Sequence, residues 1–154
     1  MSELRLNLVT REWVVIATER AKRPVDYANS KAFKSPLPER LSSCPFCPDN
    51  EHRTPEERYR LPDDGSWRVR VVENKYPALT GGAVGRTVSG IRRAVTGAGI
   101  HEVIIESPLH NVSTALMEPE HLQDVIRTYR ERFILAHGDP RVDHVIIFKN
   151  HGEA

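Results

Sequence analysis

The sequence has little of what marks secreted, membrane-bound and strongly charged proteins. It contains only two cysteines in 154 residues, and its 22 lysines and arginines nearly balance its 21 aspartates and glutamates. No apolar run is long enough to span a bilayer, and the N-terminus lacks the apolar core of a signal peptide. Balanced charge gives no reason to expect a nucleic-acid or membrane surface. We therefore expect a cytoplasmic protein that has neither nucleic acid nor membrane as a partner.

The length and the absence of internal repeats point to one domain. A chain of 154 residues can bury about two thirds of its unfolded surface in a single core. Most of the 11 prolines lie in the first half, so we expect long loops there and more regular structure later.

Strand-like segments come before and after one helical segment. Pro119 suits a first helical position, apolar residues then recur at helical spacing, and Gly138 followed by Pro140 ends the pattern. A loop is expected at residues 80–99 and a short helical turn at 54–57. The segments with strand-like patterns are residues 4–9, 13–17, 67–72, 101–106 and 144–148. This order predicts an α+β fold, an antiparallel sheet with one long helix packed on a face.

The two cysteines form one Cys-x-x-Cys motif, Cys44 and Cys47. Such a turn can direct two thiolates at a single ion, and zinc takes four nitrogen or sulfur ligands. Redox pairs usually open a helix after a strand. Pro45 and Pro48 argue against a helix start here. A zinc half-site is the favoured interpretation, and a redox pair, a disulfide or two inert thiols remain as alternatives.

The remaining ligands would come from the seven histidines. His110 follows a predicted strand in a turn fixed by Pro108, so it is the best third ligand, although it also suits an ordinary surface turn. His151 is a candidate for the fourth ligand. We expect His101 to pack or hydrogen-bond at a strand start, and His52 to be solvated.

Cations and carboxamides near strand ends suggest a phosphate or nucleotide site. Arg20, Lys22 and Arg23 share one short loop after a strand, where guanidinium groups can hold phosphate oxygens. Asn74 and Asn150 each follow a predicted strand. The alternatives are a solvated basic turn and asparagines that satisfy their own turns.

Taken together, five blocks in one order resemble the galactose-1-phosphate uridylyltransferase family. The resemblance covers the chain from about residue 4 to its end. It implies a histidine-triad-like fold, and it makes residues 1–154 most of the N-terminal half of a two-half protein, incomplete at its C-terminus. The blocks are residues 13–15 with 20–24, 44–47, 73–79, 101–110 and 148–152.

The resemblance also implies a reaction, which is nucleotidyl transfer between UDP-glucose and a hexose 1-phosphate in galactose metabolism. A histidine would attack the α-phosphorus, and the covalent nucleotidyl-histidine would pass its nucleotide to a second hexose 1-phosphate. The partners would be a UDP-hexose or ADP-hexose, a hexose 1-phosphate and a second copy of the chain in a homodimer. The cofactor would be zinc.

Carried over residue by residue, the resemblance assigns roles to seven positions. Cys44, Cys47 and His110 match zinc ligands. Arg20 and Arg23 match phosphate-side residues, and Asn74 and Asn150 match nucleotide-binding ones.

Two departures from the family pattern bear on function. Lys75 stands where some uridylyltransferases have Asp, and its block also resembles adenylyl-transferring sugar-nucleotide phosphorylases. The His-x-His-x-Gln segment that carries the nucleophile is absent from these residues and is expected beyond Ala154. We therefore expect these 154 residues alone to be inactive, with His151 the only nearby substitute. A zinc-binding or nucleotide-binding module without catalysis is the competing interpretation.

Overall fold

The computed structural model describes residues 2–22 and 37–150, which fold as two compact units. The first unit contains residues 2–22, Tyr76–His101 and Ala136–Val145; the second contains residues 37–75, Glu102–Leu135 and 146–150. The strands of the described residues are β1 (Ser2–Leu6), β2 (Trp13–Ala17), β3 (Glu57–Leu61), β4 (Val69–Glu73), β5 (Arg86–Ser89), β6 (Arg92–Thr96) and β7 (Glu102–Ile105). One α-helix, α1 (Pro119–His137), accompanies short 3-10 turns at Thr18–Lys22, Glu51–Arg53 and Thr114–Leu116.

The first unit is built on a four-stranded antiparallel sheet in the order β2-β1-β6-β5. Strands form at both of the first two predicted segments, and the pattern strand–turn–strand there predicts the hairpin that β1 and β2 make. The expected loop at residues 80–99 was wrong, because β5 and β6 form a hairpin there. Gly90 has a φ of 58° in the two-residue connection between them, and tight hairpin turns need such a conformation. Gly90 therefore closes the turn between β5 and β6.

The second unit is built on a three-stranded antiparallel sheet in the order β3-β4-β7. Residues 69–72 of the central strand are all buried, so both faces of this sheet are covered. The helical turn expected at 54–57 was wrong. Thr54 has an extended conformation that ends the 3-10 turn at Glu51–Arg53, and the chain then pairs with β4 as β3.

Helix α1 covers one face of the three-stranded sheet. Residues opposite one another on paired strands share a face, so Tyr59, Val71 and Ile104 lie on the same side. Arg132 of the helix donates to Glu102 of β7 at 2.6 Å, and Glu131 hydrogen-bonds Tyr59. This arrangement confirms the predicted α+β class. Among the described residues, no helix is both long enough and apolar enough to cross a bilayer.

The opposite face of this sheet carries a small apolar core of Trp67, Val72 and Ile105, with Val103 against it. Period-two alternation at residues 67–72 predicts that Trp67 shares a face with Val69 and Val71, and this prediction is wrong. The strand begins only at Val69, so the indole turns to the other face and donates to Glu51 at 2.9 Å.

The strand predicted at residues 144–148 was also wrong. These residues have high β-propensity, but a strand forms only where an edge accepts its backbone hydrogen bonds. Among the described residues none pairs with this segment, and Ile146 and Phe148 are 71% and 69% exposed.

Candidate functional site

Cys44, Cys47 and His110 come together in the second unit, although 63 residues separate the second cysteine from the histidine. Their donor atoms all lie within 4.8 Å of one another. The Sγ of Cys47 is 3.6 Å from Nδ1 of His110. The three residues that the sequence predicted as metal ligands thus form one cluster.

The cysteine turn is held by backbone hydrogen bonds rather than by a helix. Cys44 N–H donates to the Leu41 carbonyl at 3.0 Å, and Leu41 N–H donates to the Sγ of Cys47 at 3.4 Å. The Asn50 side-chain amide donates to the Cys44 carbonyl at 2.8 Å and also reaches the carbonyl of Ser42 at 3.2 Å. Cys44 and Cys47 therefore lie in a turn and not at the start of a helix, where redox pairs usually lie.

His110 is presented by the turn that follows β7. Leu109 N–H donates to the hydroxyl of Ser107 at 3.0 Å, which tightens the turn. His110 N–H donates to the Glu39 carbonyl at 2.8 Å, and this bond ties the turn to the segment that leads into the cysteines. These bonds fix the backbone of the turn that carries the His110 imidazole.

The donor set fits zinc. Two sulfurs and one imidazole nitrogen are ligands that zinc prefers, and a tetrahedron with Zn–S near 2.3 Å and Zn–N near 2.05 Å places S and N about 3.6 Å apart. Both thiols are free rather than joined in a disulfide, and Cys47 is only 3% exposed. Burial raises the pKa of the Cys47 thiol, and the hydrogen bond from Leu41 N–H opposes that rise. A metal cation would supply the positive charge that a buried thiolate needs.

The other histidines are accounted for differently. His151 lies outside the described residues, so the fourth ligand is not identified. His101 hydrogen-bonds as expected, since its Nδ1 accepts from Ala78 N–H at 2.7 Å. Burial, and secondarily the positive charge of Arg20, lowers the pKa of His101. His52 is exposed, as expected.

Three of the four residues expected to bind nucleotide are described by the structure. Arg20 is exposed in the middle of the 3-10 turn after β2, and its guanidinium donates to the Tyr76 carbonyl at 3.4 Å. Asn74 is half-buried directly after β4, and Asn150 is exposed. Arg23 lies outside the described residues. Arg20 belongs to the first unit and both asparagines to the second, so their convergence on one pocket stays a prediction.

Glu106 is a polar centre that the sequence reasoning missed. Its carboxylate accepts hydrogen bonds from Tyr129, Lys149 and, at 3.3 Å, Thr114. Burial raises the pKa of this carboxyl, but the hydrogen bonds from Lys149 and Tyr129 outweigh it and the pKa is lowered. The available signal was an acidic residue closing an apolar strand, where a buried carboxylate needs partners.

Comparison with known proteins supports the resemblance. The family model described as galactose-1-phosphate uridyl transferase, N-terminal domain, matches residues 1–154. ADP-glucose phosphorylase of Arabidopsis thaliana is 37% identical over 97% of this chain and 43% of its own length. A galactose-1-phosphate uridylyltransferase of Haemophilus influenzae is 27% identical over 97% of this chain and 42% of its own. The chain thus spans less than half the length of these curated relatives.

Solved structures agree. The crystal structure of the Arabidopsis thaliana ADP-glucose phosphorylase with bound ADP-glucose matches 94% of this chain and 41% of its own with a TM-score of 0.56 and 30% identity. A mutant uridylyltransferase matches 90% of this chain and 35% of its own with a TM-score of 0.59 and 19% identity, which supports the fold alone. The chain belongs to the galactose-1-phosphate uridyl transferase family, whose N-terminal domain it matches along its whole length.

Proposed function

We propose that this chain is the nucleotide-binding part of a nucleotidyltransferase that acts on a nucleoside-diphosphate hexose. The observation that carries the proposal is the 37% identity, over nearly the whole chain, to an ADP-glucose phosphorylase. The curated galactose-1-phosphate uridylyltransferases compared with it are 24–28% identical. This difference favours ADP-glucose over UDP-glucose, and uridylyl transfer in galactose metabolism is the second candidate.

The proposed roles follow the chemistry of each side chain. Arg20 and Arg23 would hold phosphate oxygens, since a guanidinium can donate two parallel hydrogen bonds to them. Asn74 and Asn150 would hydrogen-bond ribose or phosphate. The exposed position of Arg20 after β2 and the position of Asn74 directly after β4 support these roles, each within its own unit.

The proposed reaction passes through a covalent intermediate. An imidazole nitrogen forms a bond to the α-phosphorus while the bond to the bridging oxygen breaks, and hexose 1-phosphate leaves. An acceptor oxygen, from a hexose 1-phosphate in a transferase or from phosphate in a phosphorylase, then displaces the imidazole. The described residues would contribute positioning and charge stabilisation to both steps.

Zinc has a structural role in this proposal. Cys44, Cys47 and His110 would hold the ion, and the ion would fasten the cysteine turn to the end of β7. We also propose that the protein acts in the cytoplasm, which its cysteine usage favours, and that it forms a homodimer, which the family resemblance implies.

Calorimetric titration of the 154-residue protein tests the proposal. We expect saturable binding of ADP-glucose, with UDP-glucose weaker, and about a tenfold loss of affinity for Arg20→Ala because a charged hydrogen bond to phosphate is removed. Arg92→Ala is the matched control, an exposed arginine of the same unit. Tighter binding of UDP-glucose would favour the second candidate, and no binding of either sugar nucleotide would contradict the proposal.

A further inference from the structure

We propose that Glu106 and Lys149 form a tether that positions Asn150 for the nucleotide. The inference rests on the proposed function, because it uses Asn150 as a nucleotide ligand. Lys149 and Asn150 are adjacent, so whatever fixes the lysine ammonium also restricts where the following carboxamide can lie.

The segment that carries Asn150 has little else to hold it. In the described part of the chain, residues 144–150 form no strand pairing, and their side chains are mostly exposed. The ion pair of Lys149 with Glu106 is the one polar side-chain link from this segment to the rest of the described residues. A segment with a single charged side-chain contact takes its position largely from that contact.

Glu106 is built to act as a fixed anchor. Its side chain is 13% exposed, against 42% for Lys149. Tyr129 of α1 and Thr114 of a 3-10 turn donate to the same carboxylate, and its backbone oxygen lies 2.7 Å from Nε2 of His121 on α1. The carboxylate therefore keeps its place whether or not Lys149 is bound, and it can orient the lysine rather than follow it.

The position of Glu106 also connects the tether to the metal cluster. Glu106 follows the last residue of β7, and His110 comes four residues later in the turn that ends this strand. One strand end thus presents a metal ligand and the anchor of the nucleotide segment. We infer that the two sites share this support.

The test measures ADP-glucose affinity and the order of Asn150 in the zinc-loaded 154-residue protein. Lys149→Met removes the charge, Lys149→Arg keeps it, and Glu106→Gln keeps the shape of the anchor without its charge. We expect Lys149→Met and Glu106→Gln each to weaken binding about fivefold to tenfold, the double variant to be no weaker than either single one, and Lys149→Arg to restore binding. Glu56→Gln, which removes an exposed ion pair with Arg58 in the same unit, is the control and leaves affinity unchanged.

The NMR order parameter of the Asn150 amide separates positioning from general stability. It falls in Lys149→Met, stays at the wild-type value in Lys149→Arg, and the melting temperature changes little in either. Unchanged affinity in Lys149→Met overturns the tether, and so does a loss that Lys149→Arg fails to restore. If the wild-type protein binds neither ADP-glucose nor UDP-glucose, the proposed function fails. The order parameter then decides the tether alone: a fall in Lys149→Met supports it and an unchanged value overturns it.

Discussion

At the scale of single residues, the thiol of Cys47 has the surroundings of a metal ligand. It is almost fully buried, accepts an N–H from Leu41 and lies 3.6 Å from the imidazole of His110. Burial disfavours a free thiolate, so the sulfur stays protonated or takes a cation.

We predict one zinc ion per chain, lost in Cys47→Ser. Structural zinc contributes on the order of 10 kcal/mol in small peptide sites, and the turn and the end of β7 lose their cross-link without it. The measurement is metal content by mass spectrometry together with thermal unfolding before and after chelation. His52→Ala, an exposed histidine close to the turn in sequence, is the control and should retain zinc and stability. Absence of metal from wild-type protein purified without chelator would contradict the prediction.

His101 makes stability depend on pH. Its Nδ1 accepts from Ala78 N–H and therefore must be unprotonated, and burial with the charge of Arg20 lowers its pKa. The unfolded chain then binds more protons as pH falls below about 6.5, so the free energy of unfolding declines there by at most about 1.4 kcal/mol per pH unit. Above that pH this contribution is complete.

Chemical denaturation from pH 5 to 8 measures the effect of His101. His101→Gln keeps an acceptor for Ala78 but cannot titrate, so we expect its pH slope to be flatter than that of the wild type. His52→Gln, at an exposed position, should keep the wild-type slope. Equal slopes in wild type and His101→Gln would exclude His101 as the source.

At the scale of elements, the sequence predicted the helix and strands whose positions are set by residues within or next to them. Pro119 and Gly138 bracket α1, and β-branched residues define β2 and β4, so the sequence located these elements. The sequence prediction was wrong where pairing with a distant strand decides whether a segment becomes a strand. Residues 57–61 become a strand because β4 offers an edge, and residues 144–148 find no such edge in the described part of the chain.

The β5–β6 hairpin depends on Gly90. Its φ of 58° is costly for a residue with a side chain, by roughly 1 kcal/mol or more, although a Cβ there would meet open space. We predict that Gly90→Ala lowers the free energy of unfolding by about 1 kcal/mol. Gly81→Ala is the matched control, because a Cβ there is equally unobstructed and no positive φ is required. Equal stability of the two variants in urea denaturation would show that the turn does not require glycine.

At the scale of the whole molecule, the sequence predicted the cluster of Cys44, Cys47 and His110 but not the polar contacts of Glu106. The Cys-x-x-Cys spacing identifies Cys44 and Cys47 as candidate metal ligands. The position of His110 in the turn after β7 makes it the best third ligand. The Glu106 carboxylate is bound by Tyr129 and Lys149, which are distant from it in sequence. No sequence spacing predicts such contacts. The family resemblance assigned Arg20, Asn74 and Asn150 to nucleotide binding, and their contact with one nucleotide is the central claim.

One NMR titration tests that claim most directly. The isotope-labelled 154-residue protein is titrated with ADP-glucose while the Nε–H of Arg20 and the side-chain amides of Asn74 and Asn150 are followed. We expect all three signals to shift along one saturation curve, because one nucleotide would contact all three side chains. Saturable binding that shifts Arg20 without the two asparagines, or the asparagines without Arg20, would contradict it.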